Sequence, residues 1–213
     1  FRILRAVLES RKVIKRFQPD VVIGLGGFAS GPGGLAAWLS GKPLLIHEQN
    51  AIAGLTNRLL AKIAKQVLQG FENSFVSSKK TRWVGNPVRK EIEQLPEPQI
   101  RYQARAQKPL KLLVLGGSLG AKSLNQVVPQ TLALLSKEHT INVIHQCGEK
   151  HLADCQLAYE QAGVAGTVTQ FIDDMAKAYS EADLIICRAG ALTVAEVAAT
   201  GIAAILVPYP YAV

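Results

Sequence analysis

The feature that most restricts the fold is an alternation. A short apolar run ends in glycines or polar residues, and a segment of helical periodicity follows. "DVVIGLGG" precedes "PGGLAAWLS", a helix with Pro32 near its start. "KPLLIH" precedes "AGLTNRLLAKIAK", and "LKLLVLGGS" precedes "AKSLNQVVPQTLALLS". Short apolar runs between turn signals read as strands buried on both faces, and parallel strands need a helical crossover. The pattern predicts an α/β chain of parallel sheets with right-handed connections.

Further strands are read in "QVLQGF", "TINVIHQCG", "GTVTQFI", "DLIICRAG" and "IAAILVPYP", and further helices in "HLADCQLAYEQAG", "DDMAKAYSEA" and "ALTVAEVAAT". The rhythm breaks between Glu72 and Lys111, where "VGNPVRKEIEQLPEPQIRYQARAQKP" is rich in proline, charge and amides. A domain boundary is expected there, near Asn86 and Pro87, giving two Rossmann-like halves, 1–86 and 87–213. The opening segment "RILRAVLESRKVIKRF" sets Leu4, Val7, Leu8, Ile14 and Phe17 on one helical face, with Lys and Arg around the rest. The chain begins at Phe1 inside that helix and stops just after a strand, so it reads as a piece of a longer protein.

Charge narrows the partners. The 213 residues carry a net charge of +8, which favours an anionic partner: nucleic acid, a phosphorylated substrate or an anionic membrane surface. Aromatic content of 6% gives little material for base stacking, so nucleic acid is not expected. Three cysteines without a C-x-x-C pair fit a reducing compartment. No apolar run reaches the ~20 residues of a membrane span.

In open α/β sheets, ligands sit beyond the carboxyl ends of the strands. Every glycine-rich or polar cluster here falls at such an end: "GLGGFASGPGG", then His47–Glu48–Gln49–Asn50, then "GGSLGAKS", then "CRAGALTVAE". Glycines let backbone approach an anion, and a helix N-terminus adds free N–H groups and a positive dipole end. Ser118 can donate a hydroxyl to a phosphate. The same run equally serves as a tight turn that binds nothing; it is neither a Walker loop nor an in-register G-x-G-x-x-G. Thr193 falls in a first helical turn, and Glu196 lies one turn on. A carboxylate there can accept from vicinal ribose hydroxyls, or can simply be a first-turn glutamate favoured by the dipole. "HQCGEKH" offers His145, Cys147 and His151 without a fourth metal ligand, and no metal site is expected. Asp173 and Asp174 read as caps of the next helix.

Together the blocks "GFASGPGG", "HEQNAIAGLTNRLLAK", "VGNPVR", "GGSLGAKSLN", "FIDDMAKAY" and "CRAGALTVAEVAATGIAAILVP" carry a family resemblance. The chain resembles, along essentially its whole length, the GT-B glycosyltransferases that move N-acetylglucosamine from UDP-N-acetylglucosamine (UDP-GlcNAc) to lipid I in peptidoglycan synthesis. The resemblance implies two Rossmann-like parallel-sheet domains facing a cleft. It also implies absent segments: an N-terminal G-G-T-G-G-H loop and a C-terminal stretch whose glutamines touch the donor sugar.

By the same resemblance, Asn50 reaches the sugar region. Arg89 in "NPVR" binds the donor and stabilises the leaving diphosphate. Ser118 contacts phosphate, and Ile172 reads the uracil edge through its main chain. Ala191, Leu192, Thr193, Val194, Ala195 and Glu196 form the donor-binding turn, with Glu196 on the ribose. His47, Glu48, Asn57, Asn125 and Arg188 match signature positions without assigned roles. Leu119 departs from the family, which usually has Gln there, so contacts at that point fall to backbone and Ser118.

The implied reaction inverts configuration in one displacement. The C4 hydroxyl of the muramyl sugar of undecaprenyl-linked lipid I attacks, UDP leaves, lipid II forms, and no cofactor or metal is called for. The general base falls to the histidine of the absent loop, with His47 and Glu48 as weaker candidates. Peripheral attachment to the cytoplasmic side of the inner membrane follows from the lipid substrate, through Arg2 to Phe17, Trp38 and Lys62. The alternatives are another GT-B sugar-nucleotide enzyme, such as a UDP-GlcNAc 2-epimerase, and a non-catalytic fragment needing a partner chain.

Overall fold

The computed structural model describes residues 2–117 and 119–209. The chain divides into two units, Phe1–Pro87 and Val88–Val213. The first runs α1 (Arg2–Phe17), β1 (Val22–Gly24), α2 (Gly27–Leu39), β2 (Leu44–Glu48), α3 (Leu55–Leu60), β3 (Gln66–Gln69) and β4 (Thr81–Trp83). All its strands pair in parallel in the order β1-β2-β3-β4. Leu44, Ile46, Leu60, Ala64 and Val67 form the core beneath this sheet. Small residues let α2 approach closely. Ala36 and Ala37 are fully buried, and a Cβ on Gly34 would meet the Leu60 methyls at 2.9 Å.

Three expectations change here. Helix α2 begins at Gly27, so Pro32 lies inside it rather than near its start. Gly26 and Gly27, at φ 84° and 74°, turn the chain straight off β1 into the helix, a conformation that only glycine adopts at no steric cost. The apolar face of α1 is only partly covered: Val7 and Ile14 are buried, whereas Leu4, Leu8 and Phe17 are exposed. Strand β4, and helices α4 and α5 below, fall in the stretch read as a break in the rhythm.

The second unit runs α4 (Lys90–Glu93), α5 (Pro98–Gln103), β5 (Leu110–Leu115), α6 (Lys122–Leu135), β6 (Ile141–Gln146), a 3-10 turn (Glu149–His151), α7 (Leu152–Ala162), β7 (Thr167–Thr169), α8 (Met175–Glu181), β8 (Leu184–Arg188), α9 (Ala191–Thr200) and β9 (Ala203–Val207). Its parallel sheet has the order β7-β6-β5-β8-β9. Succession moves one way from β5 and then the other way from β8. The β5/β8 pair is therefore the switch point at which doubly wound sheets open a crevice. One face of the sheet packs Leu113, Leu115, Met175, Tyr179 and Ile185; the other packs Val114, Leu124, Val128, Leu132 and Val143.

Arginines fasten the segment before β5. Arg101, 7% exposed, donates to the carbonyls of Pro96, Tyr179 and Thr200. Arg105 grips Asp183 with Nε and Nη2 at 2.6 and 2.8 Å, and the same carboxylate accepts the Lys111 N–H.

Candidate functional site

In the first unit the loop after β2 is organised by Glu48, which is 2% exposed. Its Oε1 accepts from the Asn50 N–H at 3.0 Å and from Asn50 Nδ2 at 2.9 Å. Its Oε2 accepts from the Gly54 N–H at 3.1 Å and from Asn57 Nδ2 at 2.9 Å. Burial opposes ionisation and is the largest single influence, yet the bonds from Asn50, Asn57 and Gly54 together hold the carboxyl below its ordinary 4.5. Glu48 is thus an anion that folds the strand end back onto the first turn of α3.

His47 is engaged at both ring nitrogens. Nε2 lies 3.0 Å from the Gly85 carbonyl, which can only accept, so Nε2 carries the proton. Nδ1 then accepts from Gln49 Nε2 at 3.2 Å. Asn57, 1% exposed, also donates to the His47 carbonyl, and Asn86 donates to the Gln49 carbonyl. The four polar residues that end β2 therefore mostly bind one another and residues 85–86. Asn50 is the exposed member, its amide held by Glu48.

In the second unit two loops rise from the switch point. Residues 116–120 follow β5. Ser118 lies outside the described residues, and its neighbour Leu119 is 83% exposed. The loop rests on the Cys147–Gly148 turn after β6, where a Cβ on Gly120 would stand 2.0 Å from the Cys147 carbonyl oxygen. Gly120 itself sits at φ 78°.

The loop after β8 leads into α9, whose first intrahelical bond runs from the Val194 N–H to the Gly190 carbonyl. The N–H groups of Ala191, Leu192 and Thr193 precede that ladder, at the positive end of the helix. Ala195 and Glu196 close the turn. Arg188, at the end of β8, ties the first turn of α6 to the segment after β9 by donating to Ser123 Oγ and to the Pro208 carbonyl.

Glu196 and Arg89 meet: Arg89 Nη2 stands 2.9 Å from Glu196 Oε1, with the Arg89 side chain 52% exposed and that of Glu196 17%. The second oxygen, Oε2, accepts from the Tyr179 hydroxyl at 3.0 Å. Tyr179 was not singled out in the sequence, because an aromatic residue at helical spacing reads as core, and its ring is core. Burial, then the Glu196 charge, push its phenol far up, so it stays a neutral donor. Ile172 is half-buried, and its N–H donates to the Oε1 of Gln146 at 3.1 Å. Gln146 also escaped notice, being read only as part of a strand.

His145 is fully buried between Asn125 Oδ1 and the Tyr159 hydroxyl at 3.1 and 3.0 Å, and burial lowers it to about 4. Among the described residues, no cluster of three or more His, Cys, Asp or Glu could hold a metal. Asp174 caps α8 through the Lys177 N–H.

Parallel strands ordered about a switch point define a doubly wound α/β protein. Residues 1–69 match the glycosyltransferase family 28 N-terminal domain and residues 111–213 its C-terminal domain. The chain belongs to glycosyltransferase family 28, and its two parallel sheets are the GT-B architecture.

Among its relatives is the UDP-N-acetylglucosamine–N-acetylmuramyl-(pentapeptide) pyrophosphoryl-undecaprenol N-acetylglucosamine transferase of Aeromonas hydrophila, 57% identical over 213 residues. The protein of the same name from Marinobacter nauticus is 55% identical over the same span. Each comparison takes in all of this chain, which spans 58% of the relative's length. The crystal structure of Acinetobacter baumannii MurG superposes with a TM-score of 0.80 at 48% identity, covering all of this chain and 59% of that one. UDP-GlcNAc 2-epimerase of Neisseria meningitidis, at 16% identity and a TM-score of 0.67 over 96% of this chain and 63% of its own, shares the fold alone.

Proposed function

We propose that this chain carries the acceptor-side and donor-side loops of an inverting N-acetylglucosaminyltransferase. The donor is UDP-GlcNAc, and the acceptor is the C4 hydroxyl of the muramyl sugar of undecaprenyl-pyrophosphoryl lipid I; the product is lipid II of peptidoglycan synthesis. The observation that carries the reading is the Arg89–Glu196 pair beside the open first turn of α9, at the switch point of a chain 57% identical to a transferase of that name.

Each residue then has its chemistry. Glu196 receives the ribose hydroxyls, and the main chain of Ile172 meets the uracil edge. Ser118 and the free N–H groups of Ala191, Leu192 and Thr193 donate to the diphosphate, with Val194 and Ala195 completing the donor-binding turn. Arg89 spends one of its five N–H donors on Glu196, leaving others for the charge that grows on the departing UDP. Asn50 binds in the sugar region. His47 and Glu48 shape that loop, consistent with their internal bonds, and the base that takes the C4 proton lies in the glycine-rich segment of the longer relatives. The reaction needs no cofactor.

The site of action is the anionic cytoplasmic face of the inner membrane, where lipid I is anchored, with the enzyme bound peripherally. Exposed Arg11, Lys12, Lys15 and Arg16 on α1 support this, with Trp38 51% exposed on the adjoining helix. Among the described residues, no helix is long and apolar enough to cross a membrane. The test is transfer by the full-length gene product, supplied with UDP-GlcNAc and a lipid I analogue. Formation of the disaccharide is expected, and a folded full-length protein that forms none overturns the reading.

A further inference from the structure

The geometry points to Tyr179 as the positioning residue for ribose recognition: its core-anchored hydroxyl fixes the Glu196 carboxylate in the orientation that accepts a vicinal diol. The inference rests on the reading of Glu196 given above and adds a residue to it.

The carboxylate is gripped from two sides by unlike groups. Arg89 reaches Oε1 at 2.9 Å with a side chain half open to solvent. A long, exposed cation contributes charge but little angular constraint, since its rotamers stay in exchange with water. Tyr179 reaches Oε2 at 3.0 Å from a side chain with no exposed surface. Its ring is wedged among Ile92, Leu113, Met175, Ile185 and Ile202. Packing at native density leaves such a ring no freedom to swing, so the hydroxyl oxygen is a fixed point. An ionised carboxylate cannot donate, which forces the phenol proton onto Oε2.

Two distinct partners on two distinct oxygens leave rotation about the terminal Glu196 bond no alternative. Each oxygen retains a further lone-pair direction, and Glu196 is not sealed in, with 17% of its side chain exposed. A carboxylate held this way offers paired acceptors to the 2′ and 3′ hydroxyls of a ribose without first paying the entropy of ordering itself. Without Tyr179 the carboxylate turns to serve Arg89 alone, and one ribose acceptor is misdirected.

The experiment uses the full-length enzyme. Steady-state kinetics with UDP-GlcNAc and its 2′-deoxyuridine counterpart are compared for wild type, Tyr179→Phe, Glu196→Gln and the double variant. Circular dichroism verifies that each is folded. Tyr179→Phe is expected to raise KM for the ribo-donor about tenfold, the size of one hydrogen bond to a charged group, with kcat within about twofold. Preference for the ribo- over the deoxyribo-donor falls by the same factor. The double variant is no worse than Glu196→Gln, because both changes disable one acceptor.

Tyr179→Phe with wild-type KM and intact ribose preference, beside a defective Glu196→Gln, overturns the inference and leaves the ribose reading standing. Intact ribose preference in Glu196→Gln overturns both. A second readout needs no variant. In wild-type enzyme with 13C-labelled tyrosine, the Tyr179 Cζ resonance is expected to shift on adding UMP and to move far less with 2′-deoxy-UMP. Equal response to the two ligands counts against the inference.

Discussion

The Asn57 carboxamide reaches the Glu48 carboxylate at 2.9 Å, and both side chains are almost fully buried. Among the described residues no cation pairs with this buried anion, which is held by N–H dipoles from residues 50, 54 and 57. Removing the charge while keeping the shape should expose what those dipoles contribute. Glu48→Gln turns an amide toward N–H donors, and about 2–4 kcal/mol of stability is expected to be lost. Urea unfolding of the chain measures it; a loss under about 0.5 kcal/mol would show that the hub is dispensable.

Acid provides an independent view of the same residue. Glu48, Glu181 and Asp183 all lie below their ordinary values of 4.5, 4.5 and 3.8 in the folded chain. Groups depressed by folding stabilise above their unfolded pKa, and that contribution drains as pH falls through the folded value. Stability is therefore expected to be flat near neutrality and to fall steeply below about pH 4.5. Urea midpoints from pH 7 to pH 3 should show this, with a shallower acid limb in Glu48→Gln. An acid limb as steep in the variant as in wild type would remove Glu48 from the explanation.

Gly120 lies where a Cβ would collide with the Cys147 carbonyl oxygen at 2.0 Å, on backbone at φ 78°. Gly120→Ala is expected to push the 116–120 loop off the Cys147 turn, costing about 2–4 kcal/mol from strain and clash together. UDP affinity in calorimetry should fall with it. Gly163→Ala is the control: φ 65° but open space around the Cβ, for about 1 kcal/mol and unchanged UDP binding.

The cysteines should be silent. Burial pushes the Cys147 thiol up, that of Cys155 to about 12 and that of Cys187 to about 11, so none offers a thiolate at neutral pH. Ellman's reagent is expected to titrate all three only after denaturant is added. Rapid labelling of the native protein at any of them would contradict this packing.

Helix α1 gives a membrane prediction. Arg11, Lys12 and Lys15 are exposed, and each cation near an anionic bilayer contributes about 1 kcal/mol. Arg11→Glu, Lys12→Glu and Lys15→Glu combined are expected to reduce binding to phosphatidylglycerol vesicles by at least about a hundredfold. Binding that survives this charge reversal would place the membrane surface elsewhere.

The strands were legible because a parallel sheet, covered on both faces, writes its strands as apolar runs. "LKLLVL" could hardly be anything else. Strand β4 was not, since Thr81 is half-exposed and Arg82 and Trp83 are exposed at an edge, with no apolar pattern to show. The start of α2 was hidden by glycines, which sequence propensity counts against a helix although here they make the turn into it. The polar loops were found by residue type, but type does not say which way a side chain points. Glu48 stood in a polar run at a strand end and Asn57 matched a signature position without a role, and only the structure shows both turned inward to hold their own loop. Tyr179 carried no signal at all, because a hydroxyl at the end of a core ring becomes informative only when its partner is known.

Arg101 donates to carbonyls at Tyr179 and Thr200, residues 78 and 99 positions further along the chain. On a ribosome this sets a schedule. At ~5–20 residues per second, those 99 positions take roughly 5–20 s to appear. Until they do, the guanidinium lacks at least one of these two acceptors and the stretch before β5 has an incomplete surface to dock on. The segment made first in the second unit is among the last to settle. That interval, rather than the finished protein, is when this chain most needs shelter from aggregation.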